Sequence, residues 1–282
     1  RMKNNKIILY ARIAESAEHE HEGMKVCPVM TSEDEYIVKY EKIHKKDISR
    51  IRGSIIFLKD GTCRLPNISH FRRIILDKNG FDIEHIDQRP YFTGVPGESD
   101  YGVEDPRIVK ILGKYYMTYV GVSTYGGVST CLAVSKDLKN WERKGIIFRE
   151  QNKDSFLFPE KINGEYIALN RPESSFNFSK PGIWISYSKD LTYWGKDKNL
   201  MRPRDRSWEE VRIGGGAPPI KTKKGWLIIY HGVRDVNKKG VYSIGSALLD
   251  LKNPEKILAR TSSKKPLISP ESKFETFGYI NN

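Results

Sequence analysis

The sequence predicts an all-β chain and, within that class, a five-bladed β-propeller. Three observations carry the prediction. A heptapeptide recurs, because Ser135-Lys-Asp-Leu-Lys-Asn-Trp141 and Ser188-Lys-Asp-Leu-Thr-Tyr-Trp194 lie 53 residues apart. Each copy follows a Gly-led aromatic run, Gly113-Lys-Tyr-Tyr-Met-Thr-Tyr119 or Gly164-Glu-Tyr-Ile-Ala-Leu-Asn170, and then a second apolar run ending at Val134 or Ile185. Helical periodicity is weak throughout. Units of this size, built from short β-rich runs separated by Gly, Asn, Asp and Lys turns, are propeller blades in sequence form, and 282 residues hold about five of them. A two-sheet sandwich also yields short strands, but not the same heptapeptide at the same place in successive units.

Along the chain, Asn4-Asn-Lys-Ile-Ile-Leu-Tyr10 reads as an early first strand, and polar Glu33 to Lys45 as an insertion or a β-hairpin. The two full copies follow. A degenerate third runs from Gly225-Trp-Leu-Ile-Ile-Tyr230 through Ser243-Ile-Gly-Ser-Ala-Leu-Leu-Asp-Leu251, with Pro254 beyond.

Composition excludes several classes. With 38% hydrophobic and 29% charged residues, the chain is expected to bury a core. Apolar stretches such as Trp226-Leu-Ile-Ile-Tyr230 stop near five residues, far short of the roughly 20 needed to span a bilayer, so no membrane contact is expected. The net charge of +13 suits phosphate or phosphate esters, but the cations are scattered between aromatic runs, without Lys/Arg blocks or zinc-finger spacing, and nucleic acid is not expected as a partner. Cys27, Cys63 and Cys131 are odd in number and widely spaced, which points to reduced thiols in a cytoplasmic protein. The polar start lacks a signal-peptide h-region.

The most distinctive segment is Tyr101-Gly-Val-Glu-Asp-Pro-Arg107. Pro106 keeps Asp105 out of the right-handed helical region, so Asp105 is expected to be extended at a strand entrance. Alternation along a strand then sends Glu104 and Asp105 to opposite faces. An ordinary Asp-Pro turn with Arg107 as its ion-pair partner is the competing reading. Asn152-Lys-Asp154, Leu169-Asn-Arg-Pro172, Val211-Arg-Ile-Gly-Gly-Gly216 and Tyr230-His-Gly232 each stand near the first strands of a unit. Blades converging on one axis would gather Lys153, Arg171, Arg212 and His231 into an anion pocket, where forked Arg donors suit phosphate. Surface solvation would explain each one singly. Gly214-Gly-Gly-Ala-Pro-Pro219 lacks the Gly-Lys-Ser/Thr ending of a P-loop, and His19-Glu-His-Glu22 lacks zinc-protease spacing, so neither a nucleotide nor a metal is expected.

Gly102-Val-Glu-Asp-Pro-Arg107, Phe158-Pro-Glu-Lys-Ile-Asn-Gly164, Asn170-Arg-Pro172, Ile213-Gly-Gly-Gly-Ala-Pro-Pro-Ile220, Gly225-Trp226, Tyr230-His-Gly-Val233 and Leu248-Leu-Asp-Leu251 together closely resemble glycoside hydrolase family 130. The resemblance is strong over about residues 100–280 and implies a five-bladed propeller. It implies one catalytic domain over residues 1–282, cut short at both ends and carrying an insertion around residues 13–65. Two departures stand out: the usual Leu-Tyr-Arg is here Leu9-Tyr-Ala-Arg12, and Asn170 stands where many members carry His.

For activity, the resemblance implies inverting, reversible phosphorolysis of β-linked mannosides to α-mannose 1-phosphate. Asp105 matches the catalytic acid, which is thought to pass its proton through the mannosyl 3-hydroxyl while phosphate attacks the anomeric carbon from the opposite face. Lys153, Arg171, His231 and Tyr242 match phosphate-binding positions, with Arg212 a further candidate. Arg72, Glu104, Arg107, Tyr101 and Trp208 are candidate sugar contacts. Inorganic phosphate is a co-substrate, no metal or organic cofactor is implied, and a homo-oligomer is left open. A β-1,2-mannosidase of the same family would need a carboxylate base, from Glu160, Glu173, Glu209 or Glu210, to activate water. A non-catalytic sugar-binding propeller would use aromatic platforms such as Tyr91, Tyr101, Trp208 or Phe156.

Overall fold

In a computed structural model, the structure describes residues 6–17, 23–32, 35–174, 178–237, 239–272 and 275. His19-Glu-His-Glu22 and the end of the chain from Gly278 lie outside them. Apart from a 3₁₀ turn at Lys45–Asp47, the elements are β-strands. The first eight are β1 (Ile7–Ser16), β2 (Met24–Met30), β3 (Val38–His44), β4 (Ile48–Arg52), β5 (Ile55–Leu58), β6 (Cys63–Arg64), β7 (Asn67–Leu76) and β8 (Ile83–Ile86). Next come β9 (Val103–Ile111), β10 (Lys114–Ser123), β11 (Gly127–Ser135), β12 (Glu142–Phe148), β13 (Asn152–Leu157), β14 (Tyr166–Pro172), β15 (Ile183–Ser188) and β16 (Trp194–Met201). The last are β17 (Arg212–Gly215), β18 (Ile220–Thr222), β19 (Gly225–Val236), β20 (Lys239–Leu249) and β21 (Ile257–Arg260).

The chain divides into two compact units, Arg1–Pro106 with Tyr119–Ser129, and Arg107–Thr118 with Thr130–Asn282. It passes from one to the other within β9, β10 and β11, which belong to a sheet of order β12-β11-β10-β9.

In the first unit, β1 pairs antiparallel with β7 from Ile7↔Leu76 to Ser16↔Asn67, and β8 adds beyond β7. Everything between β1 and β7 is an excursion of two small sheets, β2-β3 and β4-β5-β6. The excursion has its own core of Cys27, Ile43, Ile56 and Leu58, with Ile48 packed against it. Burial pushes the Cys27 thiol up to about 11, so it stays protonated at neutral pH.

The second unit holds two further sheets, β13-β14-β15-β16 and β17-β19-β20-β21, with β18 beside β19. Strand β14 shows why these runs fold as they do. Ile167, Ala168 and Leu169 are all buried, so both faces of this internal strand are covered and its sequence is continuously apolar rather than alternating. A large cluster around Phe156, Phe158, Leu169, Ile185, Trp226 and Ile228 forms the core. A second cluster joins Val109, Ile111, Leu132, Ile147, Leu157, Ala168 and Leu191. Each fully buried large apolar side chain contributes roughly 1.5–3 kcal/mol.

The recurring heptapeptide is a turn that enters the last strand of a sheet. Ser135 Oγ accepts the N–H of Asp137 and Leu138, and Asp137 Oδ1 accepts those of Lys139 and Asn140. Ser188 and Asp190 repeat the pattern before β16. Leu138 and Leu191 share a left-handed φ, +61° and +71°, which the side-chain caps hold in place. Asp250 caps the same position before β21, and Asp77 before β8. The segment Asp77 to Gly80 is therefore a capped turn. Hydrogen bonds from the backbone hold the exposed Asp137, Asp190 and Asp250 carboxyls below the ordinary carboxylate range.

Candidate active site

In the first unit the centre is Asp105. Its φ is +52°, not extended as expected. Pro106 does exclude the right-handed region for the residue before it, but it leaves the left-handed region open to Asp, whose short polar side chain tolerates it. The kink breaks the alternation of β9, so Glu104 and Asp105 do not diverge to opposite faces. One guanidinium, that of Arg12, donates to both, from Nη2 to Glu104 Oε1 at 2.7 Å and from Nη1 to Asp105 Oδ1 at 3.2 Å.

Arg72, also in this unit, donates to Glu15 Oε1 at 3.0 Å and to His70 Nε2 at 3.2 Å. The His70 ring is fully buried, and burial lowers its pKa further below the ordinary 6.5. Tyr101, a candidate sugar platform, is 6% exposed and donates its backbone N–H to Val122 O. Its position is one of packing, and it offers no open ring face.

In the second unit the centre is Asp154, on β13. Arg171 pairs with it through Nη1 and with Glu173 through Nη2 at 2.6 Å. Arg107 Nη2 reaches Asp154 Oδ1 at 3.3 Å and the carbonyl of Gly215 at 2.9 Å, while its Nε donates to Gly216 O at 2.7 Å. His231 Nε2 lies 3.3 Å from Arg171 Nη1 and 3.5 Å from Asp154 Oδ2. Arg212 Nη2 donates to Tyr242 Oη at 2.6 Å, and the Tyr242 ring stands 5.5 Å from that of His231. Lys153 is opposite Arg171 in the β13–β14 register.

The glycine run has a local reason. A Cβ on Gly214 would collide with Asp154 Oδ2, Arg171 Nη1 at 2.6 Å and His231 Cε1 at 2.7 Å. A Cβ on Gly215 would overlap the Phe156 ring. Strand β17 therefore passes directly over the charged cluster, and only glycine permits it.

Among these residues, Lys153, Arg107, Arg171 and Arg212 stand against the carboxylates of Asp154 and Glu173, an excess of two positive charges with His231 neutral. Asp154 is 5% exposed, and although burial opposes its charge, Arg171 and then His231 and Arg107 hold its carboxyl below the ordinary range. His231 is driven the other way, down to about 4, chiefly by burial and further by Arg171, Arg107 and Arg212. The Nε atoms of Arg171 and Arg212 are buried donors with no hydrogen-bond partner among the described residues. Buried polar atoms are rarely left unsatisfied, and in this one cluster Asp154 Oδ2 joins the two Nε donors in making no hydrogen bond among the described residues.

The shift of His231 gives a measurable result. The folded protein takes up this proton near pH 4 and the unfolded chain near 6.5. Its contribution to stability is whole above about 6.5 and is lost as pH falls toward 4. In NMR titrations the His231 ring is expected to show a midpoint near pH 4, moving upward when inorganic phosphate is added.

Other sequence-predicted residues fall elsewhere. Trp208 is 5% exposed, stacks on Tyr230 at 5.6 Å and donates its indole N–H to Ser262 O at 2.8 Å. Gly232 and Gly245 make room for it. It belongs to the core and is no open platform, as is Phe156 at 0% exposure. Glu209, a candidate base, is fully buried between Arg204, Arg260 and the Tyr230 hydroxyl, while Glu160 pairs with surface Lys221. Asn170 is buried, accepting from Asn152 Nδ2 at 2.9 Å and donating to Ser186 Oγ at 2.7 Å. Asp154 and Arg12 were not among the predicted site residues. Both stand in segments that the sequence singles out, Asn152-Lys-Asp154 and Leu9-Tyr-Ala-Arg12, but the contacts of Arg12 with Glu104 and Asp105 show only in the fold. No group of three or more His, Cys, Asp or Glu among the described residues is arranged to hold a metal ion, and no helix among them is long and apolar enough to cross a membrane.

The all-β scaffold thus carries a carboxylate pair near the start of β9 and, in the second unit, a buried cluster with an excess of positive charge. A family model described as beta-1,4-mannooligosaccharide phosphorylase, glycoside hydrolase family 130, matches residues 75–282, and the chain belongs to that family. The 1,2-beta-oligomannan phosphorylase of Thermoanaerobacter sp. (strain X514) is 44% identical over 209 residues, 73% of this chain and 66% of that protein. The chain thus spans just under two thirds of that relative. The beta-1,2-mannobiose phosphorylase of Listeria innocua serovar 6a is 34% identical over 285 residues, 99% of this chain and 77% of that protein. The solved structure of beta-1,2-mannobiose phosphorylase from Listeria innocua, in complex with beta-1,2-mannobiose, superposes with a TM-score of 0.87 at 32% identity, covering 99% of this chain and 78% of that one.

Proposed function

We propose that the chain is an inverting glycoside phosphorylase built on a five-bladed propeller. It cleaves a β-linked mannoside with inorganic phosphate and releases α-mannose 1-phosphate. The observation that carries the phosphate half is the pair of orphaned Nε donors, on Arg171 and Arg212, within a cluster whose excess charge matches a phosphate dianion. Family membership and the names of the relatives support the mannoside half.

In the proposed reaction a phosphate oxygen attacks the anomeric carbon as the glycosidic C–O bond breaks. The proton of the Asp105 carboxyl passes through the mannosyl 3-hydroxyl to the leaving oxygen. Phosphate takes the place of the water and base of an ordinary inverting glycosidase, so one protein carboxyl suffices. The locked surroundings of Glu209 and the engagement of Glu173 with Arg171 agree with this economy. Three of the relatives act on β-1,2 linkages by name, which favours β-1,2 over β-1,4 here.

Product analysis after incubation with β-1,2- and β-1,4-mannobiose, with and without phosphate, tests the reading. Mannose 1-phosphate formed only with phosphate, and faster from the β-1,2 substrate, is the expected result. Free mannose released at equal rates with and without phosphate would instead identify a hydrolase.

A further inference from the structure

We infer that Arg12 is a positioning residue for Asp105, an inference that rests on Asp105 being the proton donor proposed above. Arg12 stands on β1 opposite Phe71 of β7. Its guanidinium spends each of its nitrogens on a different partner: Nε on Ser69 Oγ at 3.2 Å, Nη2 on Glu104 Oε1 at 2.7 Å and Nη1 on Asp105 Oδ1 at 3.2 Å. A planar fork held at two points has a fixed third direction. That third direction is aimed at the Asp105 carboxylate.

The supports of the fork are themselves immobilised. Gly102 forms a parallel bridge with Ser69, and a Cβ there would fall 2.5 Å from both Ser69 N and Ser69 O. Gly102 also holds a φ of +107°, so close approach and backbone conformation both require glycine at this position. The Tyr101–Asp105 segment is thus pressed against the strand that carries Ser69, and Arg12 spans the junction. The left-handed Asp105 completes the arrangement, since in a regular strand neighbouring carboxylates would diverge and no single guanidinium would hold both.

The bond lengths divide the labour. Glu104, 22% exposed and at the shorter distance, anchors the fork. Asp105, 36% exposed and at the longer distance, keeps its orientation yet stays accessible to a sugar hydroxyl. An exposed ion pair adds little to stability, so a purely structural role for Arg12 predicts almost no phenotype. Orientation matters far more to rate, because a misplacement of about 1 Å costs roughly 10²-fold.

Arg12→Gln and Arg12→Lys in the full chain separate these roles, read by steady-state phosphorolysis of β-1,2-mannobiose and by thermal unfolding. Both are expected to lower kcat about 10- to 100-fold, with the phosphate KM within about twofold of the parent and the unfolding midpoint nearly unchanged. Lysine keeps the charge but not the fork, so it does not rescue. Glu104→Gln, which weakens the anchor, gives a smaller fall in kcat. A kcat within about twofold of the parent in both Arg12 variants overturns the inference. So does a loss confined to the mannoside KM, the signature of a direct sugar contact. Asp105→Asn is assayed alongside: if it stays active, the proton-donor reading fails, whereas an inactive Asp105→Asn beside fully active Arg12 variants sinks only the positioning role.

Discussion

Asp105→Asn is expected to lower kcat by about 10²- to 10⁴-fold, the range over which a positioned general acid contributes. The fold should be untouched. The Asp105 side chain is 36% exposed, its pair with Arg12 is open to solvent, and Asn tolerates the left-handed conformation as Asp does. Circular dichroism and the unfolding midpoint are therefore expected to match the parent. Phosphorolysis and the reverse synthesis from mannose 1-phosphate should fall by the same factor, because one proton serves both directions. Substantial turnover in this variant would move the acid to another residue.

Arg171→Met is expected to have the largest effect on stability. Arg171 is 3% exposed and is the main partner of buried Asp154. Removing the main partner of a buried charge leaves Asp154 with the longer contact to Arg107 and costs up to about 3–5 kcal/mol. Because the Asp154 carboxyl is held below its ordinary range, the parent keeps this stability above that range and loses it as pH falls through the shifted value. The variant should show a lower denaturation midpoint and a shallower acid limb. Methionine also removes the orphaned Nε, so the phosphate KM should rise about 10- to 100-fold, the loss of one or two charge-assisted hydrogen bonds. Arg171→Met combined with Asp154→Leu separates the effects: stability should largely return while the phosphate KM stays high. Recovery of both would make the pair structural only.

The strands were legible because their pattern is local. The recurring heptapeptide announced a repeating turn, and its Ser and Asp caps depend on no residue outside it. The cationic residues at 153, 171, 212 and 231 were legible as chemistry, and β13, β14, β17 and β19 do bring them into one unit. The conformation of Asp105 was not. Proline disfavours one region for its predecessor without choosing between those that remain, and the partner that meets Asp105 there, Arg12, lies 93 residues upstream. Tyr101, Trp208 and Phe156 are buried where an open platform was expected, and the reason is related. A Trp in the core and a Trp in a sugar cleft have the same side chain, and the glycines at 232 and 245 that make Trp208 a core residue face it from two different strands.

The excursion between β1 and β7 has a consequence for how the molecule can be edited. Its flanks, Ser16 and Asn67, are register partners, so its two ends lie side by side on neighbouring strands. A segment with adjacent ends and its own small core behaves as a cassette. Replacing it with a hairpin loop of a few residues would shorten the closure that β1 must make to find β7 from about fifty residues, a gain of roughly 2 kcal/mol in chain entropy. The strand that carries Arg12 would then zip as a local hairpin, turning the slowest pairing of the first unit into one of its fastest.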